Sequence, residues 1–253
     1  MPLGVVPITL LLGSGALVGI TLGLFGGGGT ILLLPLLVYL FSIDLGQAIP
    51  IAQLTLFFAS VAAFIPPARR GEVDARVALT LGLAGIVFAA LGALVSPLIP
   101  PAALLIFFSL LMLTAGARMW FAKNPEEEGG QCRPRSALLI GSLIGFISGM
   151  TGAGGGFLLV PSMIMFCGIP MQKAIGTAFL VIALQSLSGF LTQITHTSID
   201  LAFTASVIGL SAAGGVVGGM LSRRINVNIL KRAFAVFILI IGLFVLFQEI
   251  VSL

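Results

Sequence analysis

Two glycine runs carry the chemistry that this sequence could perform. One is Gly26, Gly27, Gly28 and Gly29, followed by Thr30; the other is Gly152, Gly154, Gly155 and Gly156, preceded by Thr151. Each interrupts an apolar segment. Glycine costs roughly 1 kcal/mol against alanine inside a helix, so a run of this kind ends one helix and begins another. A helix that starts at such a break presents unpaired N–H groups and the positive end of its dipole, an arrangement suited to an anion. Glycines also let an anion approach the backbone, and the hydroxyls of Thr30 and Thr151 add donors. Elsewhere in the apolar segments polar side chains are few: Gln53 and Thr55 on one, Thr177, Gln185, Ser186 and Ser188 on another. They could complete a site by hydrogen bonding, although serine and threonine in membrane helices also bond back to the preceding turn. The candidate binding set is the glycines just named with Thr30, Gln53, Thr151, Thr177 and Gln185.

The elements that must position these residues follow from composition. Of 253 residues, 58% are hydrophobic and 8% charged, with mean hydropathy +1.22, whereas a soluble domain carries roughly 25% charge. Apolar stretches of helical length separated by short breaks indicate an all-α polytopic membrane protein rather than a barrel, with the lipid bilayer as its surroundings. The start, MPLGVVPITLLLG, has no Lys or Arg and so lacks the basic region of a cleaved signal peptide. The formal charge of +4 lies in short loops beside apolar spans, which is a topology signal and not a nucleic-acid surface.

Shifting the sequence by 126 residues aligns GALVGITLGLFGGGGTILLLP, from Gly15, with GSLIGFISGMTGAGGGFLLVP, from Gly141, with ten of 21 positions identical. The register continues through Ile43, Ser60, Asp74 and Gly116, which meet Ile169, Ser186, Asp200 and Gly242. The expected organisation is a first membrane repeat (1–122), a polar cytoplasmic linker (123–135) and a second membrane repeat (136–253). Five helical pieces are expected in the first repeat, over 8–24, 30–42, 47–66, 75–96 and 101–121. The last three are long enough to span a bilayer; the first two, about 25 and 20 Å at 1.5 Å per residue, are either short spans or the arms of one re-entrant hairpin.

Charge separates these alternatives. Arg69, Arg70 and Arg76 flank the loop after the third piece of the first half, whereas Arg223, Arg224, Lys231 and Arg232 follow the fourth piece of the second. Placing both groups and the linker in the cytoplasm requires the halves to be inverted, each a glycine-tipped re-entrant hairpin plus three transmembrane helices. Both termini then lie outside, and the tips approach each other near the midplane. Inverted repeats with broken helices meeting there are a recurrent plan of secondary transporters.

Other readings are weaker. Gly15, Gly19 and Gly23, with Gly141, Gly145 and Gly149, recur every four residues, as helix-packing glycines do. Gly23 to Thr30 matches a phosphate-binding loop except that Gly29 replaces the lysine, and no second motif supports it. Cys132 and Cys167 give neither a disulfide framework nor metal-ligand spacing. His196 is the lone histidine, expected at the outer end of a helix, and no G-x-S-x-G occurs, so no catalytic or metal-binding residue is assigned and no cofactor is expected. Asp44, Glu72, Asp74, Lys173, Asp200 and Glu249 all fall near segment ends, leaving no charge deep in a span.

The doubled glycine elements, GLFGGGGTILLLP and GMTGAGGGFLLVP, each closed by a proline (Pro35, Pro161), resemble those of the sulfite exporter TauE/SafE family of membrane permeases. The resemblance implies export of sulfite or a small organosulfonate across the cytoplasmic membrane; the glycine-rich helix starts are where the residues themselves would hold the anion. Thr30 stands where the second copy has Gly156, so the two tips need not contribute equally. An anion channel is the main alternative and an intramembrane enzyme a weaker one; a homodimer is left open beside the monomer.

Overall fold

The structure is a computed structural model and describes residues 8–121, 134–153, 155–194 and 200–252. Gly154, Cys132 and His196, named above, lie outside the described residues. Among the described residues ten α-helices follow one another: α1 (Ile8–Phe25), α2 (Gly28–Pro35, continued by a π turn, Leu36–Leu40), α3 (Leu45–Arg69), α4 (Ala75–Val95), α5 (Pro101–Phe121), α6 (Pro134–Thr151), α7 (Gly156–Cys167), α8 (Met171–Gln193), α9 (Leu201–Ser222) and α10 (Val227–Ser252). The expected pieces of the first half are all present with ends shifted by a few residues, and the last two linker residues join α6. α3, α4, α5, α8, α9 and α10 are long and apolar enough to cross a membrane; α1, α2, α6 and α7 are shorter.

Local signals start several of these helices. The Asp44 carboxylate accepts from Gly46 N–H, Asp74 from Val77 N–H, and Asp200 from Ala202 and Phe203 N–H, so orphan donors of α3, α4 and α9 are met by side chains. Asp74 and Asp200 are repeat equivalents. Gly168 takes the left-handed conformation at the end of α7 (φ 60°), and its equivalent, Ser42, does the same after the π turn (φ 52°) as the only non-glycine residue with positive φ among the described residues.

The helices pack across the repeats. α1 lies along α9 and its equivalent α6 along α4; α3 meets α8 and α9, α8 also meets α4, and α5 pairs with α10. Glycines set these distances. A Cβ on Gly15 would lie 2.8 Å from Leu210 Cβ, one on Gly19 would overlap the Ser211 carbonyl and one on Gly23 that of Gly215. Likewise a Cβ on Gly141 would lie 2.6 Å from Leu81 O, one on Gly145 would lie 2.6 Å from Gly85 Cα, and one on Gly149 would overlap Ala89 O. Because both partners advance together, α1 runs in the direction of α9 and α6 in that of α4. α3 and α8 run oppositely, since Gly189 touches Gln53 while Gly176 touches Pro67. Leu79, Leu83, Val87 and Leu94 of α4 remain exposed, an outward apolar stripe of the kind that lipid covers.

Two features differ from expectation. Cys167 is disulfide-bonded, so it does more than pack. Lys231 and Glu249, although near helix ends, are each only 7% exposed; Glu249 accepts a 2.6 Å hydrogen bond from the Tyr39 hydroxyl, tying α10 to the turn that follows α2.

Candidate functional site

The first arm of each hairpin is longer in reach than its second. Gly23 lies against Gly215 and Gly218, near the end of α9, and Gly149 against Ala89, near the end of α4. The chain then turns back through left-handed glycines, Gly26 and Gly152, each with φ 68°. These equivalent positions meet equivalent partners: Gly26 packs on Ile175 and Gly152 on Ile49. A residue with a Cβ is strained at such a φ, so glycine is required there.

The second arms begin halfway along their neighbours. A Cβ on Gly156 would lie 2.7 Å from Cδ1 of Ile182, the middle residue of α8, and 2.8 Å from Gly27 Cα. From the other side a Cβ on Gly27 would overlap the Gly156 carbonyl. The starts of α2 and α7 therefore touch, backbone on backbone. Gly28, Gly29 and Gly155 instead face their own first arms, at Thr21 and Phe25, at Val18 and Leu22, and at Ile144 and Ser148. Those three glycines close the hairpins.

The threonines are engaged. Thr30 Oγ1 donates to Gly27 O (2.6 Å) and Thr151 Oγ1 to Ile147 O (2.8 Å). Thr177 lies apart from the tip contact: its hydroxyl donates to Lys173 O (2.6 Å) and accepts from Asp74 N–H (2.9 Å), fastening the α3–α4 loop to α8. Ser188 donates to Ile86 O (2.7 Å).

Gln53 and Gln185 behave differently, and three hydroxyls join them. Among the described residues, six buried side-chain polar atoms have no partner: Gln53 Oε1, Thr55 Oγ1, Ser60 Oγ, both amide atoms of Gln185, and Ser186 Oγ. All five side chains are 0% exposed. They occupy only α3 and α8, within about a turn of the helix middles, at the level where α2 and α7 begin. A buried polar atom without a partner costs about 1–3 kcal/mol, so such a cluster is a property of a functional site more than of a core. Ser60 was absent from the sequence-based candidates. Its signal was the repeat itself, because Ser60 and Ser186 are equivalents.

A cavity of about 580 Å³ is lined by Asp44, Ile49, Ser96, Leu104, Thr192 and Gln193 among others, between the start of α3 and the ends of α4 and α8. It reaches Ile49, the residue on which Gly152 rests. At the opposite end Glu72 pairs with Arg70 (2.9 Å) and with Arg223 (2.6 Å), and its backbone carbonyl sits against Gly176. The α3–α4 loop thus lies across the start of α8 and the end of α9.

The chain matches the model of the family described as sulfite exporter TauE/SafE over residues 11–245. It is similar to a protein of Xylella fastidiosa named "Probable membrane transporter protein", 34% identical with 96% of each chain covered. It is also similar to "Probable membrane transporter protein YunE" of Bacillus subtilis, 23% identical over 94% of this chain and 97% of the relative. A Haemophilus influenzae protein named "Probable membrane transporter protein" is 27% identical, with 93% of this chain and 97% of the relative covered.

Proposed function

Because the chain belongs to the sulfite exporter TauE/SafE family and is a membrane transporter, we propose that it exports a small anion of the sulfite or organosulfonate class across the cytoplasmic membrane by alternating access. The observation that carries this reading is the placement of five wholly buried polar side chains with unpartnered atoms at the level of two opposed helix starts. Helix N-termini favour negative charge, and hydroxyl and amide donors around them give the oxygens of an anion their remaining hydrogen bonds. Since the starts of α2 and α7 touch, the anion lies beside their contact, against α3 and α8.

Inverted repeats are part of the proposal. Their support is that repeat-equivalent helices α3 and α8 run oppositely, as do α5 and α10, where Gly116 meets Leu239 and Gly242 meets Met112. The exchange of α1–α9 for α6–α4 is what a two-fold axis between inverted halves produces. The hairpins are read as re-entrant because their second arms start halfway along α8. Positive-inside assigns the Arg70, Arg76 and Arg223 end to the cytoplasm. The cavity at the start of α3 then lies toward the outside and the Glu72 ion pairs toward the cytoplasm.

The test uses purified protein, first for thermal stabilisation by a panel of sulfite, alkanesulfonates and carboxylates, then for efflux of the best ligand from proteoliposomes. A ligand at 100 times its Kd adds about 2.7 kcal/mol. Saturable efflux of the stabilising anion is the expected outcome. Flux linear in concentration would assign a channel, and the absence of any stabilising anion would remove the tips and the α3–α8 seam as a site.

A further inference from the structure

The unpartnered atoms also constrain what kind of anion fits, a step that rests on the proposed anion site. The Gln53 amide is oriented by its Nε2, which donates to Gly149 O at 3.2 Å; the atom left over is an acceptor, Oε1. Gln185 has neither amide atom engaged, so whichever way its amide turns it too contributes one acceptor. An anion whose oxygens only accept can satisfy the hydroxyls of Thr55, Ser60 and Ser186, the Gln185 N–H and the helix starts. It offers nothing to two buried amide carbonyls.

The two amides lie on the same side of the molecule. Gln53 reaches Gly149 of α6, while Gln185 sits against Gly85, which packs on Gly145 of α6. Gly145 and Gly149 are about one turn apart, so both amides flank the same stretch of the second hairpin's first arm. Under the 126-residue shift their equivalents are Phe179 and Ala59, which have no polar side-chain atom to offer beside the first hairpin. The asymmetry belongs to the side chains and not to the backbone.

We infer that the substrate is an oxyanion bearing its own hydroxyl, such as a hydroxyalkanesulfonate, with its charged oxygens at the helix starts and its O–H donated to one of the Gln53 and Gln185 carbonyls beside the second hairpin. The hydroxyl supplies a donor that a bare sulfonate does not have.

The experiment compares 2-hydroxyethanesulfonate with 1-propanesulfonate, which replaces the hydroxyl by a methyl group at equal charge and nearly equal size, by calorimetric binding to the purified full chain. Wild type is expected to bind the hydroxylated ligand about tenfold more tightly, the return of one hydrogen bond to a buried acceptor. In Gln53→Met and Gln185→Met, and most fully in the two combined, that ratio falls toward one, while Gln185→Met weakens both ligands alike by removing its N–H donor. Equal binding of the two ligands by wild type overturns the inference and leaves the anion site standing, a result that needs no variant to fold. A ratio that persists in both variants overturns the assignment to these amides. Binding of neither ligand, with no stabilisation by sulfite or the other sulfonates, removes the anion site and the inference together.

Discussion

Ser60 and Ser186 allow function and stability to be pulled in opposite directions. Both hydroxyls are wholly buried and without partners, and both side chains are small enough that truncation to alanine leaves little void. Removing an unsatisfied buried hydroxyl returns the desolvation cost that folding incurred, at the lower end about 1 kcal/mol each. Ser60→Ala and Ser186→Ala together should therefore stabilise the protein by about 2 kcal/mol, less if the neighbouring sites couple. At about 2–4 °C per kcal/mol for a chain of this size, the melting temperature should rise by about 4–8 °C. Transport should move the other way. A hydrogen bond to a charged group contributes about 1.5–3 kcal/mol, so each lost hydroxyl should raise KM for the exported anion about tenfold or more. The assay is differential scanning fluorimetry of the ligand-free protein beside concentration-dependent efflux from proteoliposomes. A double variant that melts lower than wild type and transports with unchanged KM would refute the reasoning, since the hydroxyls would then be structural.

Gly149→Ala and Gly23→Ala should cost about 1–3 kcal/mol or more, because the added methyl meets the Ala89 or Gly215 carbonyl; the yield of monodisperse protein after detergent extraction reports it. Ser42→Gly should stabilise by up to about 1 kcal/mol, relieving a left-handed non-glycine residue at φ 52°, and thermal melting checks the sign. Thr177→Val should cost about 1–2 kcal/mol by leaving Asp74 N–H unmatched while substrate Kd stays at the wild-type value, which separates this threonine from the binding cluster. Efflux of a fixed-charge sulfonate should quicken under an inside-negative potential, worth about 2.3 kcal/mol per charge per 100 mV; an initial rate indifferent to a clamped potassium-diffusion potential at equal pH would reject potential-driven export.

The all-helical membrane class was legible because 58% hydrophobic against 8% charged composition admits no soluble core, and the repeat because paired glycines and the prolines survive at a constant 126-residue offset. In the sequence Asp44, Asp74 and Asp200 stand out only as lying near segment ends; in the structure each directly precedes a helix and caps N–H groups two or three residues on, a local interaction. Gln53 and Gln185 could be singled out as polar residues in apolar segments. What a one-dimensional reading lacked was the list of neighbours. Whether a hydroxyl bonds back to its own helix, as Thr151 does at 2.8 Å, or stays unmet, as Ser60 does, depends on which backbone groups the packing brings within reach. Thr177 was a candidate on residue type alone, yet the α3–α4 loop engages it from 103 positions away. Glycine spacing announced close packing but not the partner, because any helix can accept a small-residue face and only the tertiary arrangement sets α1 on α9 and α6 on α4. In the same way the sequence marked both tips as breaks, while the meeting of Gly27 with Gly156 follows from steric contact between backbones far apart in the chain.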